Sequence, residues 1–365
     1  YENMKNAIYN YEETSQIYFA DNILLGNLRS DIERSEISLS EVSEFAKNAI
    51  IATEDNYFYE HQGIVPKALG RAIFQELTNS DTRTGGSTLT QQLVKNQILT
   101  REVSFDRKAK EILLALRLER FFDKDDILEA YLNIVPFGRN ASGQNIAGIE
   151  AAAQGIFGVS AKELNLPQAA YIAGLPQNPY TYTPFNNDGS IKESLDASLT
   201  RMKTVLSRML TEGYIDEQQY DKALAYDVKA NLAEPKPTPQ ESYPAFNFEV
   251  ERRAVNVLAK VFAEQDGHDS ERMAANAIVY DNLDYESRYS GKPIEKIAEE
   301  KELDFQQIKD DYNLFNEYID NADIEIRRGG YHIHTTIDKD IYDAWQKSKD
   351  DVLDNRNYFQ APKTV

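Results

Sequence analysis

A mainly α fold is predicted, followed by a mixed α/β region, and three observations carry that prediction. Apolar residues recur at helical spacing through most of the chain up to residue 226. The run Glu234-Pro-Lys-Pro-Thr-Pro-Gln-Glu-Ser-Tyr-Pro244 is a proline-rich break of the kind that separates domains. Beyond it, Tyr331-His-Ile-His-Thr-Thr-Ile-Asp338 alternates as a strand does.

The elements follow in order. Residues 14–28 read as two short strands around an Asp21-Asn22 turn. The first long helix is expected to start near Ser38, where Ser38 and Glu41 have the spacing of a capping box. Val42, Phe45, Ala46, Ala49 and Ile50 then form one apolar stripe. Thr53 and Glu54 continue it, which puts Glu54 at the edge of the core; a frayed helix end with an exposed acid fits the same spacing. Residues 64–77 form an amphipathic helix suited to core packing or to a membrane surface, and 78–86 read as a loop. Helices are predicted over 87–98, 106–122, 125–134, 147–156, 161–173, 190–212 and 216–226. Behind the break, 247–263 is an amphipathic helix. The stretch 264–330 holds too few apolar residues for a large core, though it still shows helical periodicity near 293–319. The strand at 331–338 has a short helix behind it. The expected division is an N-terminal linker with strands (1–37), a helical domain (38–233), a hinge with an acidic linker or insertion (234–330) and the start of a further region (331–365).

Charge narrows the function classes. The net charge of −20 argues against general nucleic-acid binding. Half of it falls in 264–330, where 18 acidic residues face 8 basic ones. Residues 95–120 run the other way, with 7 basic against 4 acidic. A local anionic ligand explains such a segment, and so does a solvated helix laced with ion pairs. The chain has no cysteine, so a thiol nucleophile, a thiolate metal site and a disulfide framework are excluded. No apolar run reaches membrane-spanning length, and there is no signal-peptide pattern. The chain begins at Tyr1 rather than Met, which leaves room for an anchor in a preceding segment.

Three blocks carry chemistry. In Thr53-Glu-Asp-Asn-Tyr-Phe-Tyr-Glu-His-Gln-Gly63 an acidic pair ends an apolar helix and enters an aromatic, histidine-bearing turn. Carboxylates at such a place suit acid/base work, because partial burial favours the neutral form. Gly85-Gly86 followed by Ser87 and Thr88 opens the next helix; its free N–H groups suit an anion, and Ser87 either binds a phosphate oxygen or serves as a plain N-cap. Ser87, Gln91 and Lys95 are expected to share a face. In Arg107-Lys108-Ala-Lys-Glu111 the side chains of Arg107, Lys108 and Glu111 meet at helical spacing. Ile112, Leu113, Leu114, Ala115, Leu116 and Leu118 make the surroundings apolar nearly all round, and an ion pair or a ligand would satisfy the charges. His61 fits a catalytic base or a satisfied turn histidine. His268, His332 and His334 show no metal-ligand spacing.

Taken together these blocks resemble the family 51 glycosyltransferases, the peptidoglycan polymerases of bifunctional (class A) penicillin-binding proteins. Glu54-Asp55-Asn-Tyr-Phe58-Tyr-Glu-His61-Gln-Gly63 resembles their first motif, Gly86-Ser87-Thr88-Leu89-Thr90-Gln91-Gln92 the second and Arg107-Lys108-Ala-Lys-Glu111 the third. Lys124-Asp-Asp-Ile127-Leu128-Glu129-Ala-Tyr131-Leu132-Asn133 resembles the fourth, and Gly148-Ile149-Glu-Ala-Ala-Ala-Gln-Gly-Ile-Phe157-Gly158 the fifth. The resemblance spans about residues 14–226.

The resemblance implies a lysozyme-like lobe with a small membrane-facing lobe that takes in 64–86. It implies inverting transfer of a growing glycan from undecaprenyl diphosphate to the 4-hydroxyl of lipid II, which needs a base and a stabilised leaving group. Glu54 matches the general base and Glu111 the second glutamate, on the diphosphate side, which could hold a divalent cation (Mg or Mn). Lys95, Arg107 and Lys108 match diphosphate-neutralising positions; Ser87, Gln91 and Gln92 line the same cleft; Asp55, Phe58, His61 and Gly63 shape the loop around Glu54. No organic cofactor is implied. The implied partners are lipid II, the nascent strand, a membrane surface and other cell-wall synthesis proteins, and the implied location is the outer face of the bacterial plasma membrane, with an N-terminal transmembrane anchor outside this chain.

Such proteins continue into a penicillin-binding transpeptidase with a Ser-x-x-Lys nucleophile. These residues contain no Ser-x-x-Lys, so the chain is expected to stop just before that enzyme. Two other readings stand beside the polymerase: a lysozyme-like hydrolase with Glu54 as general acid, and a non-catalytic cell-wall scaffold. The Lys95, Arg107 and Lys108 cluster favours transfer over hydrolysis.

Overall fold

Val42, Ala46, Ala49, Ile50 and Thr53 are all buried in the computed structural model, so the predicted apolar stripe is real. Phe45 departs from it and is 36% exposed. The structure describes residues 2–9, 12–66, 87–97, 105–235 and 239–354. The helix expected over 64–77 lies outside the described residues beyond Pro66, as do the 78–86 loop and Gly85-Gly86. The chain divides into two compact units, Tyr1–Glu13 with Ser30–Pro237 and Thr14–Arg29 with Thr238–Val365.

The first unit is mostly helical. Its longer described helices are α1 (Glu2–Tyr9), α2 (Glu44–Glu54), α3 (Leu89–Gln97), α4 (Phe105–Leu118), α5 (Lys124–Ile134), α6 (Ile149–Phe157), α7 (Leu166–Gly174), α8 (Asp196–Thr211) and α9 (Glu217–Leu224). Every residue of α7 but Pro167 is buried, because the helix packs against both α2 and α8. A small sheet of β3 (Ile32–Glu33), β4 (Pro136–Arg139) and β5 (Asn145–Ala147) has the order β3-β5-β4, β3 parallel and β4 antiparallel to β5.

Caps explain where these helices begin. Leu39–Glu41 is a short 3-10 turn, and α2 starts after Ser43, not at Ser38. The expected 161–173 helix is divided: a 3-10 turn covers Ala161–Glu163, and Asn165 and Gln168 form a capping box that starts α7. The expected 190–212 helix begins only at Asp196, after a bridge between Phe185 and Ile191.

The second unit holds β1 (Gln16–Tyr18), β2 (Leu24–Asn27) and β6 (His332–His334), with β1 in the middle, antiparallel to β2 and parallel to β6. Its longer described helices are α10 (Pro244–Gln265), α11 (Ser270–Ser290), α12 (Ile294–Glu300), α13 (Phe305–Arg328) and α14 (Lys339–Asp354). The stretch 264–330 does contribute to a core, contrary to its low apolar content. Met273, Ala277, Phe315, Ala322 and Ile326 are buried together with Ile17, Phe19, Val250 and Leu258. One narrow apolar stripe per helix suffices because α10 and the strands supply the rest. Asp311, also buried, is held by Arg272 at 3.0 Å, Asn276 at 2.7 Å and Gln307 at 2.9 Å.

Candidate active site

α3 reaches two carboxylates with consecutive residues. Gln92 Nε2 donates to Glu54 Oε2 at 3.1 Å, and Gln91 Nε2 donates to Glu111 Oε1 at 3.3 Å. The two motif glutamates are thereby brought to one helix.

Glu54 is the last residue of α2, with its side chain 14% exposed. A carboxylate there faces the negative end of the helix dipole and needs compensation. α8 supplies it: Arg208 donates to the Thr53 carbonyl, and Arg201 Nη2 lies 3.5 Å from Glu54 Oε1. Burial holds the Arg201 guanidinium below its ordinary value, and the Glu54 charge opposes that shift. Tyr131 donates to Gln92 Oε1 at 3.3 Å, which turns the amide NH2 towards Glu54. Burial, then the Glu54 charge, pushes the Tyr131 phenol well above its usual range and keeps it a donor. Arg201, Arg208 and Tyr131 were not among the residues singled out from sequence as site candidates. The arginines lie far downstream on a different helix, and no spacing signal connects them to Glu54.

The turn after Glu54 is a buried polar assembly. Asp55 Oδ2 accepts from His61 Nε2 at 2.8 Å and from the Leu89 backbone N–H at 2.9 Å. His61 Nδ1 accepts from the Gly63 N–H at 3.0 Å, which puts the ring proton on Nε2. Phe58 is fully buried, and Lys124 Nζ stands 4.6 Å from its ring centroid. Gly63 has φ +88°, and a Cβ there would meet the Ala115 carbonyl oxygen at 2.7 Å. Glu119 closes the assembly, accepting from Thr90 at 2.6 Å and from Lys124 at 2.7 Å.

The start of α3 is capped by Thr88, not by Ser87. Gln91 N–H donates to Thr88 Oγ1 at 3.1 Å and Thr88 N–H donates to Gln91 Oε1 at 3.0 Å, a reciprocal capping box. Ser87 is left to accept from Lys108 Nζ at 3.1 Å. Lys108 also donates to Glu111 Oε1, so Ser87, Gln91, Lys108 and Glu111 form one cluster. Glu111 is buried with Ala115 and Leu118 on one face of α4, while Leu113 is 67% exposed; the helix is therefore one-sided, not apolar all round. Lys95 is exposed on the last turn of α3 although Gln91, four residues earlier, is buried. The Arg107 side chain lies outside the described residues.

The fourth motif has a supporting position. Asn133 exchanges hydrogen bonds with the backbone of Ile37 at 3.0 and 2.9 Å, and Glu129 accepts from Leu39 N–H at 2.7 Å. Together they clamp the segment that leads into α2. Among the described residues no group of three His, Asp or Glu side chains could hold a metal ion. Glu111 has its Oε1 engaged by Lys108 and Gln91.

A transglycosylase family model matches residues 21–210, just over half of the chain, and the chain belongs to that family. Penicillin-binding protein 1A of Clostridium tetani (strain Massachusetts / E88) is 36% identical over 282 residues, covering 76% of this chain and 34% of that protein. Penicillin-binding protein 1A of Clostridium perfringens (strain 13 / Type A) is 31% identical over 359 residues, covering 97% of this chain and 44% of that protein. The crystal structure of penicillin-binding protein 1A from Haemophilus influenzae matches with a TM-score of 0.37 at 26% identity, over 67% of this chain and 25% of that one. This chain thus spans between a third and a half of the length of those curated relatives. No described helix is long and apolar enough to cross a membrane.

Proposed function

We propose that this chain polymerises peptidoglycan glycan strands by inverting glycosyl transfer onto lipid II, at the outer face of the plasma membrane. The observation that carries the reading is the linkage of two separately held glutamates through consecutive glutamines of α3. Glu54, its oxygens held by Gln92 and Arg201, would take the proton from the 4-hydroxyl of lipid II. That oxygen then forms the new bond to the anomeric carbon of the growing strand as the bond to undecaprenyl diphosphate breaks. Negative charge moves onto the leaving diphosphate, and Lys108, with Arg107 and Lys95, would neutralise it. Glu111 and Ser87 fix the Lys108 ammonium. No step in this scheme passes through a metal ion.

A hydrolase would use Glu54 as an acid and water as acceptor, and would have no need for a cation cluster on the leaving-group side. The test is polymerisation of lipid II in detergent with divalent cation, comparing the parent chain with Glu54→Gln. Glycan strands from the parent and none from the mutant are expected. Shortening of preformed glycan by the parent would support the hydrolase, and a folded parent that binds lipid II without extending it would support a scaffold.

A further inference from the structure

Gly174 ends α7 with φ −78° and ψ −22°, ordinary helical backbone that any residue can adopt. Conformation therefore gives no reason for glycine. Space does: a Cβ at this position would lie 2.8 Å from Arg201 Cγ. The arginine crosses α7 at the one residue without a side chain. Its Nε donates to the Gly174 carbonyl at 3.2 Å, and its Nη2 then lies 3.5 Å from Glu54 Oε1. The stem is pinned behind and the fork is aimed forwards, with the side chain only 10% exposed.

From this geometry we infer that Arg201, threaded over Gly174, is a positioning residue that fixes the orientation of the Glu54 carboxylate towards the acceptor hydroxyl. The inference rests on the polymerase reading. A glutamate has three rotatable side-chain bonds, and a base that must meet one hydroxyl gains from having them fixed. Gln92 holds one oxygen and Arg201 the other, from different helices, so neither alone sets the plane of the carboxylate. Arg208, two turns on from Arg201, holds the Thr53 carbonyl, so α8 grips both the backbone and the side chain at the end of α2. Tyr131 acts one step further back, through Gln92.

The test is steady-state lipid II polymerisation by the full chain, with melting temperature measured in parallel. Arg201→Ala is expected to lower kcat by about 10- to 100-fold while KM for lipid II stays near the parent value. Arg201→Lys should recover part of kcat, since an ammonium on a similar stem can still face Glu54. Gly174→Ala should lower kcat in the parent, because the added methyl displaces the arginine, and should have no effect in the Arg201→Ala background, where the crowded Cγ is gone. That non-additivity would not arise from a general loosening of the fold. Losses that multiply, a rise in KM alone, or an Arg201→Ala variant with parental kcat would overturn the inference while leaving the function in place, provided the parent polymerises and Glu54→Gln does not. A parent that makes no strands overturns the function and this inference with it.

Discussion

Asp55 does two jobs at one oxygen. Its Oδ2 caps the start of α3 through the Leu89 N–H and holds His61 through Nε2, so the residue beside Glu54 ties α2 to the helix that carries both glutamines. His61 then orders the chain as far as Gly63, where the turn runs against the backbone of α4. Gly63→Ala is expected to destabilise the first unit by at least about 1–2 kcal/mol from the positive φ alone. The contact with the Ala115 carbonyl adds to that cost, so the urea midpoint should fall; an unchanged midpoint would show that the turn relaxes freely. That these residues would build one turn was legible in the order Glu54, Asp55, Phe58, His61 and Gly63. The choice between a catalytic and a structural His61 was not, because it depends on whether Nε2 faces solvent or a buried carboxylate. Arg201 was not legible at all: an ion pair between remote positions leaves no local pattern.

At the scale of elements, the positions of helices were legible and their first residues much less so. Apolar periodicity reports the middle of a helix, where the core is, and the ends are decided by single hydrogen bonds. Ser38 and Glu41 have capping spacing but start only a 3-10 turn, whereas Thr88 and Gln91, with the same spacing, start α3. The second of these boxes also serves the site. Gln91 uses Oε1 to accept from Thr88 N–H, which leaves Nε2 free to donate to Glu111. Thr88→Ala is therefore expected to cost about 0.5–2 kcal/mol of stability through the lost cap. It should also reduce polymerisation beyond what the fall in stability explains, because the Gln91 N–H loses its acceptor and the tie from Thr88 to the Gly63 carbonyl goes with it, loosening the helix start that aims the Gln91 amide. Chemical denaturation and rate measurements on the same sample would separate the two effects; a rate that tracks only the folded fraction would limit Thr88 to capping. The share that the acidic stretch 264–330 takes in a small core was hidden for a related reason. Composition counts how many apolar residues there are, but burial depends on their sharing a face, and Phe315, Ala322 and Ile326 do so on α13.

For the whole molecule, a net charge of −20 makes alkaline pH a demanding test of the fold. Tyr171 is buried on α7, and burial pushes its phenol from the ordinary 10.0 up to about 12, partly opposed by the Ser198 hydroxyl. A raised value means that the folded chain keeps this proton to higher pH than the unfolded chain does. Its contribution is therefore complete below about pH 10 and is lost as pH rises towards 12. The loss should run at up to about 1.4 kcal/mol per pH unit for each such proton. Added phenolate charge on an already acidic chain pushes in the same direction, but that repulsion is screened by salt, whereas the cost of charging a buried ring is not. Thermal melts between pH 9 and 12 at low and high salt, read beside phenolate absorbance, should show a stability loss that survives high salt. Tyr171→Phe should flatten that salt-independent part while leaving the neutral-pH fold intact. Tyr131 is a poorer choice for substitution, since its hydroxyl also orients Gln92 towards Glu54. Equal slopes for the parent and Tyr171→Phe at high salt would mean that other buried phenols, or the opening of the fold before titration, govern the alkaline limit.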